Sequence, residues 1–421
     1  MHYRRFGRSE LNIPVFSTGG MRYQDGWKDK PLSEVDPEKH KNLENTIAKS
    51  IEVGIHHIET ARGYGCSERE LGIVLPDYPR EQLIVQTKVG PTDDPDEFTA
   101  NFEESLERLQ LDHVDLFALH GIHDPESYRK AFGEDGKSGC LAAARRLQKQ
   151  GKCRFVGFST HGPVDEIVRA IQAPGPDPSP DTPLDARGHP LRGFDYVNLH
   201  WYFIYQRNWP AIIEARRRDM GVFIISPTDK GGHLHTPSDT LRELCEPLHP
   251  IVFNDLWCLR RTEVHTLSLG ASKPSDYDLH LEAADRLDHP ETPKLLRDIE
   301  RRMRDAMRQA TGHPDPEHGV FDLPDNRQSP GGFNVPLILW LHNLARGWGM
   351  EAYAKARLNM MGNAGPWFPG CKVADTFNEI DKDALAAACD VGGWTGREVV
   401  DRIADAIDLL GDAEVKRLSQ S

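Results

Sequence analysis

Cysteine is scarce and scattered. The seven are Cys66, Cys140, Cys153, Cys245, Cys258, Cys371 and Cys389, and no two stand in CxxC spacing. An odd, dispersed set fits reduced thiols and offers no disulfide framework and no zinc signature. With 421 residues the chain can bury a large core without such staples. Long apolar runs are missing too, so no stretch reads as a bilayer span and no membrane partner is expected. The opening Met1-His2-Tyr3-Arg4-Arg5-Phe6-Gly7-Arg8 lacks the apolar core of a secretion signal, and the expectation is a cytoplasmic protein. Basic residues are outnumbered 51 to 65, for a net charge of −14. That balance counts against non-specific binding to nucleic acid. There is no HExxH, and His56-His57 and His233/His235 have no evident third ligand, so no metal is expected. No GxGxxG follows the first apolar run, which counts against a doubly wound dinucleotide fold.

What is present is a rhythm. Short apolar, β-rich runs stand at residues 15–19, 55–59, 83–88, 114–120, 155–159, 196–200, 222–226 and 266–270. Helical periodicity fills most of the gaps, as at 42–52 (Leu43, Ile47, Ile51), 98–109 and 139–150. Strands that read as continuous apolar runs, alternating with helices, predict an α/β fold, a (β/α)8 TIM barrel. Residues 1–285 are assigned to the barrel and 286–421 to a helical C-terminal extension with a Pro/Gly-rich linker at 311–333. A Pro- and Asp-rich stretch, 173–193, is expected to loop out at the surface. In the tail, 335–346 reads as a helix. Thr395 and Glu398 have capping-box spacing ahead of an apolar stripe of Val399, Ile403, Ile407 and Leu410, expected to dock on the barrel or on itself.

Chemistry in a (β/α)8 barrel gathers at the C-terminal ends of the strands. Here those ends carry Glu59, Lys88, His120, Ser159 and Asn198, with Tyr64 just past the second strand. Singly each has a bland reading: a core tyrosine, a snorkelling lysine, a turn histidine, a structural ion pair. Jointly they suit carbonyl reduction or its reverse. Hydride addition develops an alkoxide that needs a proton, and a tyrosine can supply it. A nearby ammonium favours the phenolate, a carboxylate anchors that ammonium, and a histidine orients the carbonyl oxygen. The remaining pocket-side candidates (Trp27, His56, His57, His123, His161, His200, Trp201, Tyr202) hint at a sugar-like or other hydroxylated substrate.

These residues lie in segments that resemble the aldo-keto reductases. Ile58-Glu59-Thr60-Ala61-Arg62-Gly63-Tyr64-Gly65-Cys66-Ser67-Glu68 is similar to the family's (F/I)DTAxxYGxSE. Gln86-Thr87-Lys88 resembles its lysine strand, and Asp112-His113-Val114-Asp115-Leu116 leading to His120 its LDYVDLxxxH stretch. Gly151-Lys152-Cys153-Arg154-Phe155-Val156-Gly157-Phe158-Ser159 is similar to GKIRxIGxS, and residues 3–11 to the hairpin that plugs the barrel floor. The resemblance implies Tyr64 as proton donor and acceptor, Lys88 as its partner, His120 as substrate orienter and Glu59 at a position where the family has Asp.

It also implies a nicotinamide cofactor, NADP or NAD. Gly20 and Met21 would lie beside its ribose, and Ser159 and Asn198 would hold the carboxamide. Ser226, Thr228, Lys230 and Gly232 resemble the loop over the pyrophosphate. Gly270, Ser272, Lys273 and Asp276 resemble the loop at the adenosine 2′ position, where Asp276 suits a free hydroxyl and Lys273 a phosphate. The tail resembles a subgroup whose ferredoxin-like extension holds a four-iron cluster. Its only cysteines are Cys371 and Cys389, and four thiolates are needed, so no iron–sulfur cluster is expected. Three functions follow from these readings: an oxidoreductase on a small-molecule carbonyl or alcohol, a redox-neutral epimerase with tightly held NAD(P), or a non-catalytic cofactor-sensing barrel. Nothing in the pattern selects an oligomeric state.

Overall fold

A computed structural model of the chain describes residues 1–176, 193–363 and 367–411. Two strands, β1 (Tyr3–Arg5) and β2 (Asn12–Pro14), form an antiparallel hairpin. Eight more close a parallel barrel: β3 (Phe16–Gly19), β4 (His57–Glu59), β5 (Ile84–Val89), β6 (Val114–His120), β7 (Cys153–Ser159), β8 (Tyr196–Leu199), β9 (Gly221–Ile224) and β10 (Thr266–Leu269). Each expected apolar run overlaps one of them. Closure comes where β10 pairs with β3, Leu267 opposite Phe16.

The helices start ahead of the periodic residues, at Pro37 for the run at 42–52 and at Pro95 for that at 98–109. Those at Pro37–Glu52, Pro95–Leu109 and Pro125–Phe132 each follow an Asp-Pro step. Proline sets the first helical φ without a donor to lose, and the aspartate side chain accepts from a backbone N–H of the first turn. At Pro125–Phe132 the bond is reciprocated, because Ser127 Oγ accepts from the backbone of Asp124.

Side-chain parity organises the barrel interior in layers. The floor is Phe6, Leu11, Ile13, Ile84, Leu116, Ala118, Tyr196 and Phe223, clustered and buried. Phe6 comes from the hairpin and lies 5.7 Å from the Tyr196 ring. Gly221 makes room for it, since a Cβ there would sit 2.5 Å from the Phe6 ring. Above the floor, His57 on β4 packs across the interior on Phe223 (5.2 Å) and shares a hydrogen bond with Gln86 Oε1 (3.3 Å). His56 faces elsewhere and stacks on Tyr3. Neither is a pocket-side residue, contrary to the sequence reading. Alternation turns His57 into the barrel two residues below Glu59, and His56 out.

The described residues fall into two compact units. The first comprises those of 1–203, 207–228 and 254–288, and the second those of 204–206, 229–253 and 289–421. In the second, a helix at Thr292–Thr311 ends on Gly312 in the left-handed region, and 3-10 turns at Val320–Asp322 and Pro330–Gly332 follow. The expected tail helix is Val335–Trp348, with Asn334 capping the Leu337 N–H. The last described helix, Gly396–Leu410, buries Val399, Ile403 and Leu410 within this unit against Val335–Trp348 and Lys382–Ala388. Thr395 does stand at its N-cap, but its side chain makes no capping hydrogen bond, so the expected capping box does not form. Most of the 173–193 stretch, and 364–366 of the motif read in the tail, lie outside the described residues. No helix among the described residues is long and apolar enough to cross a membrane.

Desolvation pushes the imidazolium of His57 down from the ordinary 6.5 to about 3. Between those values the unfolded chain binds a proton that the folded barrel refuses. Stability is therefore full above about 6.5 and falls as pH drops toward 3. Denaturant midpoints measured across that window should decline with acidity, and His57→Leu should flatten part of the slope. Equal slopes in the two proteins would contradict the assignment.

Candidate active site

The inward-facing residues of the top layer are polar: Glu59 on β4, Lys88 on β5, His120 on β6, Ser159 on β7, Asn198 on β8 and Ser268 on β10. The barrel is staggered: Glu59 pairs with Gln86, one inward step before Lys88, while His120 pairs with Ser159 and Ser159 with Asn198. At the C-terminal ends of parallel strands this is the face where barrel enzymes work.

Lys88 and Glu59 form the centre. Lys88 Nζ donates to Glu59 Oε1 and to the Thr60 carbonyl (2.7 Å). Their side chains are 1% and 4% exposed, so water supports neither charge. Burial pushes the Lys88 ammonium well below the usual lysine range, and contact with the Glu59 carboxylate opposes that loss. The other carboxylate oxygen, Oε2, accepts from Ser268 Oγ (3.2 Å). Gly19 permits this, because a Cβ there would lie 2.7 Å from Ser268 Oγ. The sequence reading missed Ser268. Its signal was a polar residue at an inward position of an otherwise apolar run.

Tyr64 follows in the loop after β4. Its N–H donates to Ala61 O (2.9 Å), and its carbonyl accepts from Ser67 N (3.0 Å) at the start of the helix Ser67–Val74. Lys88 Nζ lies over the ring, 4.5 Å from its centroid. His120 meets the ring edge-on at 5.6 Å, and Trp27 does so at 6.3 Å. The Trp27 loop is pinned by Cys66, whose N–H donates to Gly26 O (3.4 Å) and whose thiol donates to Lys28 O (3.1 Å). Gly65 must be glycine here: its φ is +52°, and a Cβ would strike Gly26 O at 1.8 Å. Burial, with Tyr23 nearby, pushes the Tyr64 phenol above its usual range. The sequence reading had Lys88 lowering it. The difference is physical: the hydrogen bonds of Nζ go to Glu59 and Thr60, and the ammonium lies over the ring face.

Asn198 is fully buried, and neither its Oδ1 nor its Nδ2 has a hydrogen-bond partner. Leaving both unpaired is costly, and a ligand with one donor and one acceptor would satisfy them. Ser159 Oγ, opposite, accepts from Gly121 N (3.2 Å). Gly20 lies close over β4, its N–H on Glu59 O (2.7 Å), and Met21 follows it. Gly270 O accepts from Arg22 Nη1 (2.7 Å), a contact the sequence did not suggest. Asp276 Oδ2 accepts from both Ser272 N and Ser272 Oγ (2.8 Å each), while Lys273 is exposed. Ser226 adopts a left-handed φ of +54°, and Thr228 is buried. Lys230 and Gly232 belong to the second unit. There Lys230 Nζ lies 4.3 Å from the Trp367 ring centroid, and desolvation lowers it to about 7 against the pull of Asp229. Trp201 is buried and stacks on Trp257 (4.3 Å), so it is a core residue and not a pocket wall. Among the described residues no cluster of His, Cys, Asp or Glu is arranged to hold a metal.

Residues 16–182 match the model of the Aldo/keto reductase family. This segment belongs to that family. Within it, the aldo/keto reductase segment holds Glu59, Tyr64, Lys88, His120 and Ser159. An L-galactose dehydrogenase of Arabidopsis thaliana is 33% identical over 146 residues, 32% of this chain and 43% of that one. A glyoxal reductase of Bacillus subtilis (strain 168) is 34% identical over 124 residues, 29% of this chain and 41% of that one. The chain thus spans less than half the length of these curated relatives. The fold is that of an aldo-keto reductase from Bacillus halodurans in its holo form: TM-score 0.56 and 20% identity, covering 72% of this chain and 96% of that one.

Removing one member of a buried pair strands the other's charge, at about 3–5 kcal/mol. Lys88→Met should therefore unfold at markedly lower denaturant. Adding Glu59→Gln to it should restore more than half the loss. If the two substitutions simply add, the pair is not a unit.

Proposed function

We propose that this chain is a nicotinamide-dependent oxidoreductase that interconverts a carbonyl and an alcohol, with Tyr64 as general acid and base. The observation that carries this reading is the buried Lys88–Glu59 pair lying against the face of the Tyr64 ring. The cofactor, when bound, supplies or accepts the hydride. Asn198 and Ser159 would hold its carboxamide, because Asn198 offers an unsatisfied donor and acceptor side by side. Gly20, Met21, Ser226, Thr228, Gly270, Ser272 and Lys273, all of the first unit, are the further residues assigned to it.

The geometry supports a role for each residue. In a buried site the phenol stays neutral, so Tyr64 holds a proton ready for a developing alkoxide. As it gives that proton up, negative charge spreads into a ring already facing the Lys88 ammonium, and the interaction strengthens. Glu59 keeps that ammonium charged despite its burial, and Ser268 and Thr60 O fix the pair in place. His120, edge-on to the phenol ring, orients the carbonyl oxygen. Similarity to an L-galactose dehydrogenase supports a hydroxylated, sugar-like substrate. Asp276, fixed by Ser272, places a negative charge in the loop after β10, which favours NAD over NADP.

Two measurements test this. Nicotinamide absorbance followed over a panel of aldehydes, ketones and sugars should reveal turnover, and Tyr64→Phe should reduce kcat by about 10²–10⁴-fold, the worth of a general acid, while still binding the dinucleotide. Near-wild-type turnover in that variant would remove Tyr64 from the chemistry. Separately, Asp276→Arg should shift the ratio of NADPH to NADH affinity upward by about tenfold, or ~1.4 kcal/mol. An unchanged ratio would mean that Asp276 does not face the 2′ position.

A further inference from the structure

The second unit holds a lysine that the chemistry proposed above does not use. Residues 229–233 form a tight turn, in which the N–H groups of Gly232 (3.2 Å) and His233 (2.8 Å) both donate to the Asp229 carbonyl. The helix Glu351–Leu358 packs on this turn. Tyr353 and Arg357 stand four residues apart on that helix and so share one side of it. The Tyr353 hydroxyl donates to the Lys230 carbonyl (2.7 Å), and the Tyr353 ring meets the His233 ring edge-on at 5.1 Å. Arg357 Nη2 donates to Asp229 Oδ1 (2.8 Å), and His233 Nε2 lies 3.3 Å from the same oxygen.

These contacts occupy the carboxylate and leave the lysine beside it without one. Lys30, Lys41, Lys152 and Lys294 each rest on a carboxylate near the surface, and the buried Lys88 has Glu59. Among the described residues no carboxylate forms a salt bridge with Lys230. Its Nζ lies over the Trp367 ring instead, 4.3 Å from the centroid. Burial holds the Lys230 ammonium down to about 7; Asp229 opposes this and the Arg357 guanidinium adds to it. An amine desolvated by an apolar wall and set beside a second cation is the environment that makes a lysine nucleophilic. At pH 7 about half of such an amine is neutral, against less than about one part in a thousand of an ordinary lysine. Lys230 is also partly exposed, so a small solute can reach it, whereas Lys88 is shut away.

We propose that Lys230 is a capture site for small aldehydes, which its amine binds covalently as an imine. The neutral Nζ attacks the carbonyl carbon, and the π pair of the C=O bond moves to oxygen, which takes up a proton as the nitrogen releases one. The resulting carbinolamine expels its hydroxyl as water, and the nitrogen lone pair closes the C=N bond. No oxidant or reductant takes part, and water reverses the reaction. The proposal stands on groups of the second unit alone and does not rest on the oxidoreductase reading.

The test treats the full chain with limiting propanal and sodium cyanoborohydride, which reduces the imine to a stable alkylamine, and maps the labelled lysines by mass spectrometry. At pH 7 Lys230 should be labelled about tenfold or more faster than the exposed Lys137 and Lys273. Its rate should reach half its maximum near pH 7, where theirs are still climbing toward ~10. Arg357→Met removes a cation and releases Asp229 to Lys230, so it should slow the labelling of Lys230 at pH 7 and move the midpoint upward. A variant that only loosened the packing would speed labelling by opening access. Lys230 labelled no faster than the exposed lysines, or a rate that rises only with theirs, overturns the proposal. So does fast labelling that Arg357→Met leaves unchanged. Turnover is not read, so failure of the oxidoreductase reading leaves this result as it stands.

Discussion

Everything at the barrel mouth turns on one buried ion pair. Lys88 and Glu59 are both shut away from water, and neither charge is tolerable there alone. The surroundings are built to satisfy them. Ser268 takes up the second carboxylate oxygen, the Thr60 carbonyl takes up a second ammonium proton, and Gly19 leaves the space in which Ser268 and Glu59 meet. Tyr64 is the beneficiary, its ring lying against a cation that the fold has already secured.

The barrel produces this arrangement by parity. Strand residues alternate in and out, so the inward residues of the staggered strands fill the interior in layers. The lowest ring is apolar and sealed from below by Phe6 of the hairpin. The next contains His57 and Gln86. The top one is polar and carries Glu59, Lys88, His120, Ser159, Asn198 and Ser268. One step further out, the same parity brings His161 beside His200. The mouth therefore holds a polar tier built around an ion pair, with a pair of histidines beyond it.

Much of this was legible in the sequence. Eight apolar runs located eight barrel strands, because buried parallel strands leave a continuous signal. Helix starts were less legible, since the periodicity at 42–52 and 98–109 lay inside helices that begin at Pro37 and Pro95. Glu59, Tyr64, Lys88 and His120 stood out because they end or follow strands. What was not legible depends on which way a side chain turns. His57 looked like a pocket residue, but lies in the interior two positions below Glu59. Ser268, one serine within an apolar run, was passed over. Trp201 looked like a sugar platform, yet stacks on Trp257, a partner 56 residues away whose approach no local pattern encodes. Thr395 and Glu398 had the spacing of a capping box, but spacing does not set the side-chain torsions that the bonds require.

The claim on which the account rests is that Glu59 keeps Lys88 charged against its burial. Lysine-selective NMR can follow the Lys88 ammonium directly through a pH titration, in wild type and in Glu59→Gln. The account predicts that Lys88 loses its proton at a clearly lower pH in the variant, where desolvation acts without the opposing carboxylate. Identical midpoints in the two proteins would contradict it.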